Sequence, residues 1–157
     1  MKEAILTTYQ REKEDSNDDF LFYSIPRFSY HLDLAFRSRL TNLYREMIPN
    51  NSVVLDLMSS WVSHLPEEIN YKKVIGHGLN RVELEKNTQL DSFWIQDFNK
   101  NQLLPIESNS IDACLMVAAW QYLQFPEKFS EEVRRILTST GFLIVAFSNR
   151  AFWSKAP

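Results

Sequence analysis

Several short stretches of this sequence carry side chains suited to chemistry. Asp56 is followed by Leu57-Met58-Ser59-Ser60-Trp61, a carboxylate with two hydroxyls three and four residues on. Those hydroxyls could donate to a carboxylate on a ligand, or could cap a following helix. Gly76-His77-Gly78-Leu79-Asn80 holds two glycines of only three in the chain, which implies close approach of the backbone to a neighbour. His77 or Asn80 could hydrogen-bond a hydroxyl there, and a tight strand-to-helix turn would use the same residues. Asp97-Phe98-Asn99 and Ala118-Ala119-Trp120-Gln121-Tyr122 close two further apolar stretches. A loop aspartate can cap a turn, and aromatics at this spacing often belong to a core. His31 lies near Asp33 and could act as a general base. Two residues apart on one helix, however, the two side chains face different ways. Cys114 sits inside an apolar run, where a buried inert thiol is expected, and His64 reads as a packing or surface residue. No His, Cys and Asp cluster has metal-ligand spacing, and neither a Gly-x-Ser-x-Gly elbow nor a phosphate loop occurs.

Elements must bring these stretches together, and the composition permits one core. The chain has 157 residues, 45% of them hydrophobic, enough for a single domain. Three glycines, where average usage would give about eleven, argue against low-complexity readings and against a glycine-built nucleotide loop. A net charge of −3 and a pI near 5.6 offer no basic face for nucleic acid. No apolar stretch is long enough to cross a bilayer, the N-terminus shows no secretory signal, and one cysteine fits a reducing compartment. The expectation is a soluble, cytoplasmic protein without a membrane or nucleic-acid partner.

Residues 1–19 read as a flexible charged segment, since 11–19 carry seven charges. Residues 20–50 read as a helical lid, with a helix over 29–47 capped by Ser29. From there short apolar strands alternate with helices. Strands are expected at Val53–Leu57, Lys73–Gly76, Phe93–Gln96, Ile111–Val117 and Phe142–Phe147. Helices are expected after the first strand to about residue 69, over Asn80–Leu90, and over Pro126–Leu137. Continuously apolar strands separated by helices predict an α/β, doubly wound (Rossmann-like), mostly parallel sheet, here residues 51–157. Its ligand would lie beyond the carboxyl ends of the strands, where the stretches above fall.

Phe129-Ser-Glu-Glu-Val-Arg-Arg-Ile-Leu-Thr-Ser-Thr-Gly-Phe-Leu-Ile-Val, the pair Leu104-Pro105-Ile106 and Ser110-Ile111-Asp112, and the order of elements resemble class I S-adenosylmethionine-dependent methyltransferases, in particular the type 11-like domains. The resemblance implies strand order 3-2-1-4-5 and a cofactor, S-adenosylmethionine, leaving as S-adenosylhomocysteine. It implies cofactor contacts from Asp56, Met58, Ser59, Ser60, Gly76, His77, Gly78, Asn80, Asp97, Phe98 and Ala118, with Asp97 reading the adenine amino group and Phe98 stacking on the ring. Tyr23, Arg27, Trp120, Gln121 and Tyr122 are implied contacts of a small-molecule acceptor, with His31 and Tyr122 as candidate catalytic groups. Two departures stand out. The family's first loop is Asp/Glu-x-Gly-x-Gly-x-Gly, whereas Asp56 is followed by no glycine; and Gly78 stands where the family has the acid that holds the ribose. The family's last two strands are also missing. The fifth strand is then an edge, partly covered by Phe152 and Trp153 or paired with a second copy. The alternative to a methyltransferase is a non-catalytic relative used for dimerisation or partner binding.

Overall fold

The computed structural model describes residues 5–157; the first four residues of the charged 1–19 segment lie outside it. Five parallel strands form one sheet in the order β3-β2-β1-β4-β5: β1 (Val53–Leu57), β2 (Lys73–Gly78), β3 (Ser92–Ile95), β4 (Ile111–Val117) and β5 (Leu137–Ala146). The helices are α1 (Asp19–Phe22), α2 (Leu34–Met47), α3 (Arg81–Lys86) and α4 (Pro126–Ile136). The predicted doubly wound order is therefore the observed one.

Strand periodicity explains why the sheet needs cover on both sides. Successive side chains point to opposite faces, and on β1 and β4 both sets are apolar apart from Asp56 and Asp112. Val54, Ala113 and Leu115 pack with Leu40, Tyr44 and Ile48 of α2. Leu55, Leu57, Cys114 and Met116 pack with Phe129, Val133 and Ile136 of α4. Cys114 is buried, and its thiol is pushed well above its ordinary pKa by desolvation.

Four details differ from the sequence reading. No helix follows β1. Met58 and His64 take left-handed backbone angles, φ 51° and 58°, which interrupt a helical run, and Pro66 removes a donor. The Gln89 side chain also satisfies both the N–H and the carbonyl of Leu65. α2 starts at Leu34 because Asp33, not Ser29, caps it through the Phe36 N–H at 2.8 Å. α3 stops at Lys86, and the next residue, Asn87, turns its amide to the Ser60 carbonyl and the Ser63 hydroxyl. β5 leaves α4 directly and passes through Gly141, where the register with β4 shifts and an added Cβ would lie 2.8 Å from the Ile111 carbonyl oxygen.

Phe152 does not cover β5. It turns toward the carboxyl ends of the strands, against Phe22, Tyr23, His31 and Tyr122, while Trp153 is 71% exposed.

Candidate functional site

The carboxyl ends of the strands open into one cavity of about 410 Å³, roofed by residues from both ends of the chain. At the end of β1, Asp56 is buried, and its Oδ2 accepts hydrogen bonds from Ser59 Oγ at 2.5 Å and Ser63 Oγ at 2.6 Å. Burial raises its pKa to about 6, against the pull of those two hydroxyls. Ser60 Oγ donates to Glu83 Oε2 at 2.6 Å. The two serines therefore serve carboxylates of the protein itself and cap no helix.

The loop after β1 is held by β2. Met58 N–H donates to His77 Nδ1 at 3.0 Å, and Ser59 N–H donates to the His77 carbonyl at 2.6 Å. With Nδ1 accepting, the proton sits on Nε2, which donates to the Gln96 carbonyl at 2.7 Å. Burial depresses the His77 pKa to about 3, so the ring is neutral. Both nitrogens are thus committed to tying β1, β2 and β3 together, leaving neither for a ligand hydroxyl.

Gly78 explains how a loop without glycine can follow this path. A Cβ on Gly78 would lie 2.7 Å from the Ser59 carbonyl oxygen, so the glycine that permits the close approach stands on the facing strand. Met58 meanwhile adopts the left-handed conformation, at a cost of roughly 1–2 kcal/mol for a residue with a side chain.

Asn80 caps α3 through the Glu83 N–H at 3.1 Å and donates to the carbonyls of Tyr23 at 2.8 Å and Ser24 at 3.2 Å. Glu83 Oε1 accepts the Arg27 backbone N–H at 2.7 Å. At the end of β3, Asp97 is buried, one oxygen accepts the Asn99 N–H at 2.8 Å, and burial raises its pKa. Phe98 offers no free ring: it is 3% exposed, stacked on His77 at 3.8 Å and packed on Phe129 at 4.9 Å. At the end of β4, Ala118 takes φ 52° and donates its N–H to the Ala146 carbonyl at 2.7 Å. Tyr122 is buried, and its hydroxyl accepts the Phe152 N–H at 2.8 Å.

Asp56, Met58, Ser59, Ser60, His77, Gly78, Asn80, Asp97, Phe98, Ala118, Tyr23, Arg27, His31 and Tyr122 all line the cavity. Three residues expected beside them do not. Gly76 faces Leu90, whose side chain fills the space of a Cβ. Trp120 packs against Phe129 and the α4 side of the core. Gln121 turns its amide back to the Ala118 carbonyl at 3.1 Å. His31 is exposed at the rim, edge-on to Phe152, and Asp33 is occupied at the start of α2.

The roof was not foreseen in this form. Lys155 is 1% exposed, pairs with Asp15 at 3.1 Å and Asp19 at 3.4 Å, and donates to the Asn17 carbonyl at 2.8 Å. Lys13 pairs with Asp19 at 2.6 Å. Ser63 and Glu83 were missed as well. The Asn80-x-x-Glu83 spacing of a capping box was the available signal for Glu83. Among the described residues no cluster of His, Cys, Asp and Glu could hold a metal ion, and no helix is long and apolar enough to cross a membrane.

No curated protein matches this chain. Solved structures do. The partner chain solved in complex with the Trm112 methyltransferase activator of Haloferax volcanii is 22% identical, with a TM-score of 0.59 over 70% of this chain and 51% of the other. An S-adenosylmethionine-dependent methyltransferase from Mesorhizobium loti is 18% identical, TM-score 0.55, over 66% and 50%. Phosphoethanolamine N-methyltransferase 1 of Haemonchus contortus, solved with phosphoethanolamine and S-adenosylhomocysteine, is 18% identical, TM-score 0.56, over 69% and 25%. At these identities the likeness is one of fold, and the matched part is about half of the first two structures and a quarter of the third. A model described as a methyltransferase domain matches residues 43–145. That span starts inside α2, ends on β5 and takes in the carboxyl ends of β1 to β4: the chain belongs to the methyltransferase domain family.

Proposed function

We propose that the cavity binds S-adenosylmethionine and that the chain transfers its methyl group to a small acceptor. One observation carries this reading: Asp56 on β1, Glu83 in the first turn of α3 and Asp97 just after β3 bring three carboxylates to one cavity. The cofactor offers three groups of N–H or O–H donors along its length, the ammonium, the ribose hydroxyls and the adenine amino group, and three acceptors match them. Among the described residues, Asp56 Oδ1 and Asp97 Oδ2 accept no hydrogen bond from the protein, so both have capacity for a ligand. In this reading Glu83 takes the ribose in place of the acid that Gly78 lacks.

The bound cofactor supplies a reactive methyl on a sulfonium, and the protein's share is proximity, alignment and a dry site. Tyr23 and Phe152 exclude water from above, and residues 19–33 act as a lid. His31 at the rim is the group able to take a proton from a hydroxyl or amine acceptor, and the Tyr122 hydroxyl lines the wall.

Calorimetric titration with S-adenosylmethionine and S-adenosylhomocysteine tests this. Saturable binding is expected, and Asp97→Ala should weaken it about tenfold or more, for one charge-assisted hydrogen bond. Absence of binding at millimolar ligand removes the reading.

A second reading, a non-catalytic relative that dimerises, draws on β5, whose outer edge pairs with no strand among the described residues and is followed by the 69%-exposed Phe147. A strictly monomeric mass by light scattering at high concentration eliminates it.

A further inference from the structure

We infer that the methyl acceptor is a small organic anion and that the Arg27 guanidinium holds its negative group. The inference rests on the reading above, in which the acceptor enters beneath the roof.

The cations lining the cavity are Lys13, Arg27, Arg150 and Lys155. Lys13 is paired with Asp19, and Lys155 with Asp15 and Asp19. Arg150 is exposed, and its Nη1 donates to the His31 carbonyl at 3.4 Å. Arg27 is half-buried, and among the described residues it has no carboxylate partner. Glu83, the nearest candidate for that role, meets its backbone N–H instead.

The side chain is nevertheless fixed. Its guanidinium carbon lies 4.9 Å from the Phe22 ring centre, 5.4 Å from Phe152 and 5.8 Å from Tyr23, and Nη2 donates to the Phe22 carbonyl at 3.1 Å. Rings and one carbonyl engage part of the group, whereas a guanidinium has five N–H donors in a planar fork. The remaining donors, half-desolvated and without a counter-charge, are a standing demand for an anion.

The wall beside it suits the same ligand. Tyr23 is kept protonated by burial, and next by the neighbouring Tyr122 phenol. It therefore presents an O–H rather than a phenolate, and Phe152 and Tyr23 supply flat apolar surface.

Benzoate and its neutral isostere benzamide serve as probes, titrated into the protein with and without saturating S-adenosylhomocysteine. Wild type should bind benzoate at least about tenfold more tightly than benzamide, and Arg27→Gln should erase that preference. Arg27→Lys keeps the charge but loses the fork, so it should reduce the preference by roughly severalfold; it also covers the case in which the glutamine variant does not fold. No benzoate binding at millimolar concentration, equal affinity for the two probes, or an undiminished preference in both variants overturns the inference. So does an Arg27→Gln variant that loses S-adenosylhomocysteine affinity by the same factor, since Arg27 would then belong to the donor end. If wild type binds no S-adenosylhomocysteine, the methyl-donor reading fails, and the probes titrated without it still decide whether Arg27 is an anion site.

Discussion

Asp56→Asn should make the protein more stable and a poorer binder, and the gain should depend on pH in a defined way. Burial raises the Asp56 pKa from 3.8 to about 6. At 1.36 kcal/mol per unit, holding the charged carboxylate in the fold costs about 3 kcal/mol above pH 6. Below pH 3.8 the carboxyl is protonated in both states and the cost vanishes. Asparagine keeps an oxygen for Ser59 and Ser63 and carries no charge. Its advantage over wild type should therefore be close to zero near pH 3.5, grow between pH 4 and 6, and level off at about 3 kcal/mol by pH 7. His77 works in the opposite sense. Its pKa is depressed from 6.5 to about 3, so the stability that comes from keeping it neutral is complete above pH 6.5 and falls away on acidification toward pH 3. Between pH 4 and 6 the two slopes oppose each other in wild type. The variant removes the Asp56 slope, so its stability should rise more steeply with pH between 4 and 6 than that of wild type, by up to about 1.4 kcal/mol per pH unit. Urea unfolding at intervals from pH 4 to 8 reads both curves, and titration with S-adenosylhomocysteine at pH 7 should show weaker binding. An Asp56→Asn advantage that is independent of pH, or that shrinks as pH rises, would refute the reasoning.

Other consequences are separable. Gly78→Ala sets a Cβ against the Ser59 carbonyl, which is backbone and cannot swing aside, so it should cost about 1–3 kcal/mol in urea unfolding. Gly76→Ala meets only the mobile end of Leu90 and should cost less; equal costs would contradict the close-approach account of Gly78. Lys155→Met and Asp19→Asn should be non-additive, with a coupling of about 1–3 kcal/mol in a double-mutant cycle. Additivity would show that the buried ions of the roof are energetically independent.

What could be read from the sequence follows from how local its causes are. Val53–Leu57 and Ile111–Val117 are apolar but for Asp56 and Asp112 because both faces of those strands are covered, and that pattern survives in sequence. Asp56, Gly78 and Asp97 were placed by lying just at or after strand ends, which the topology brings to one rim. The expected helix after β1 failed because distant segments hold the loop, Met58 through His77 of β2 and the His64 carbonyl through Thr41 of α2, and the propensities of those residues do not show this. Phe98 was misread for a similar reason. Whether a ring is a platform or a core member depends on what covers it, and His77 and Phe129 come from distant segments. The Ser60 hydroxyl could be foreseen as a donor, but its acceptor could not, since Glu83 lies 23 residues away. The same distance problem hid the roof.

The roof joins residues that are very far apart along the chain: Lys155 Nζ reaches carbonyls 138 and 140 positions away. Contacts of that separation close late, after the sheet has formed and the loop entropy is largely spent. The cavity's floor, by contrast, hangs on the neighbouring strands β1 and β2 and on His77. Roof and floor thus differ in sequence range, and the roof is expected to open at a lower free energy than the floor. Amide exchange is therefore expected to be faster at residues 15–19 and 152–156 than in β1 and β2.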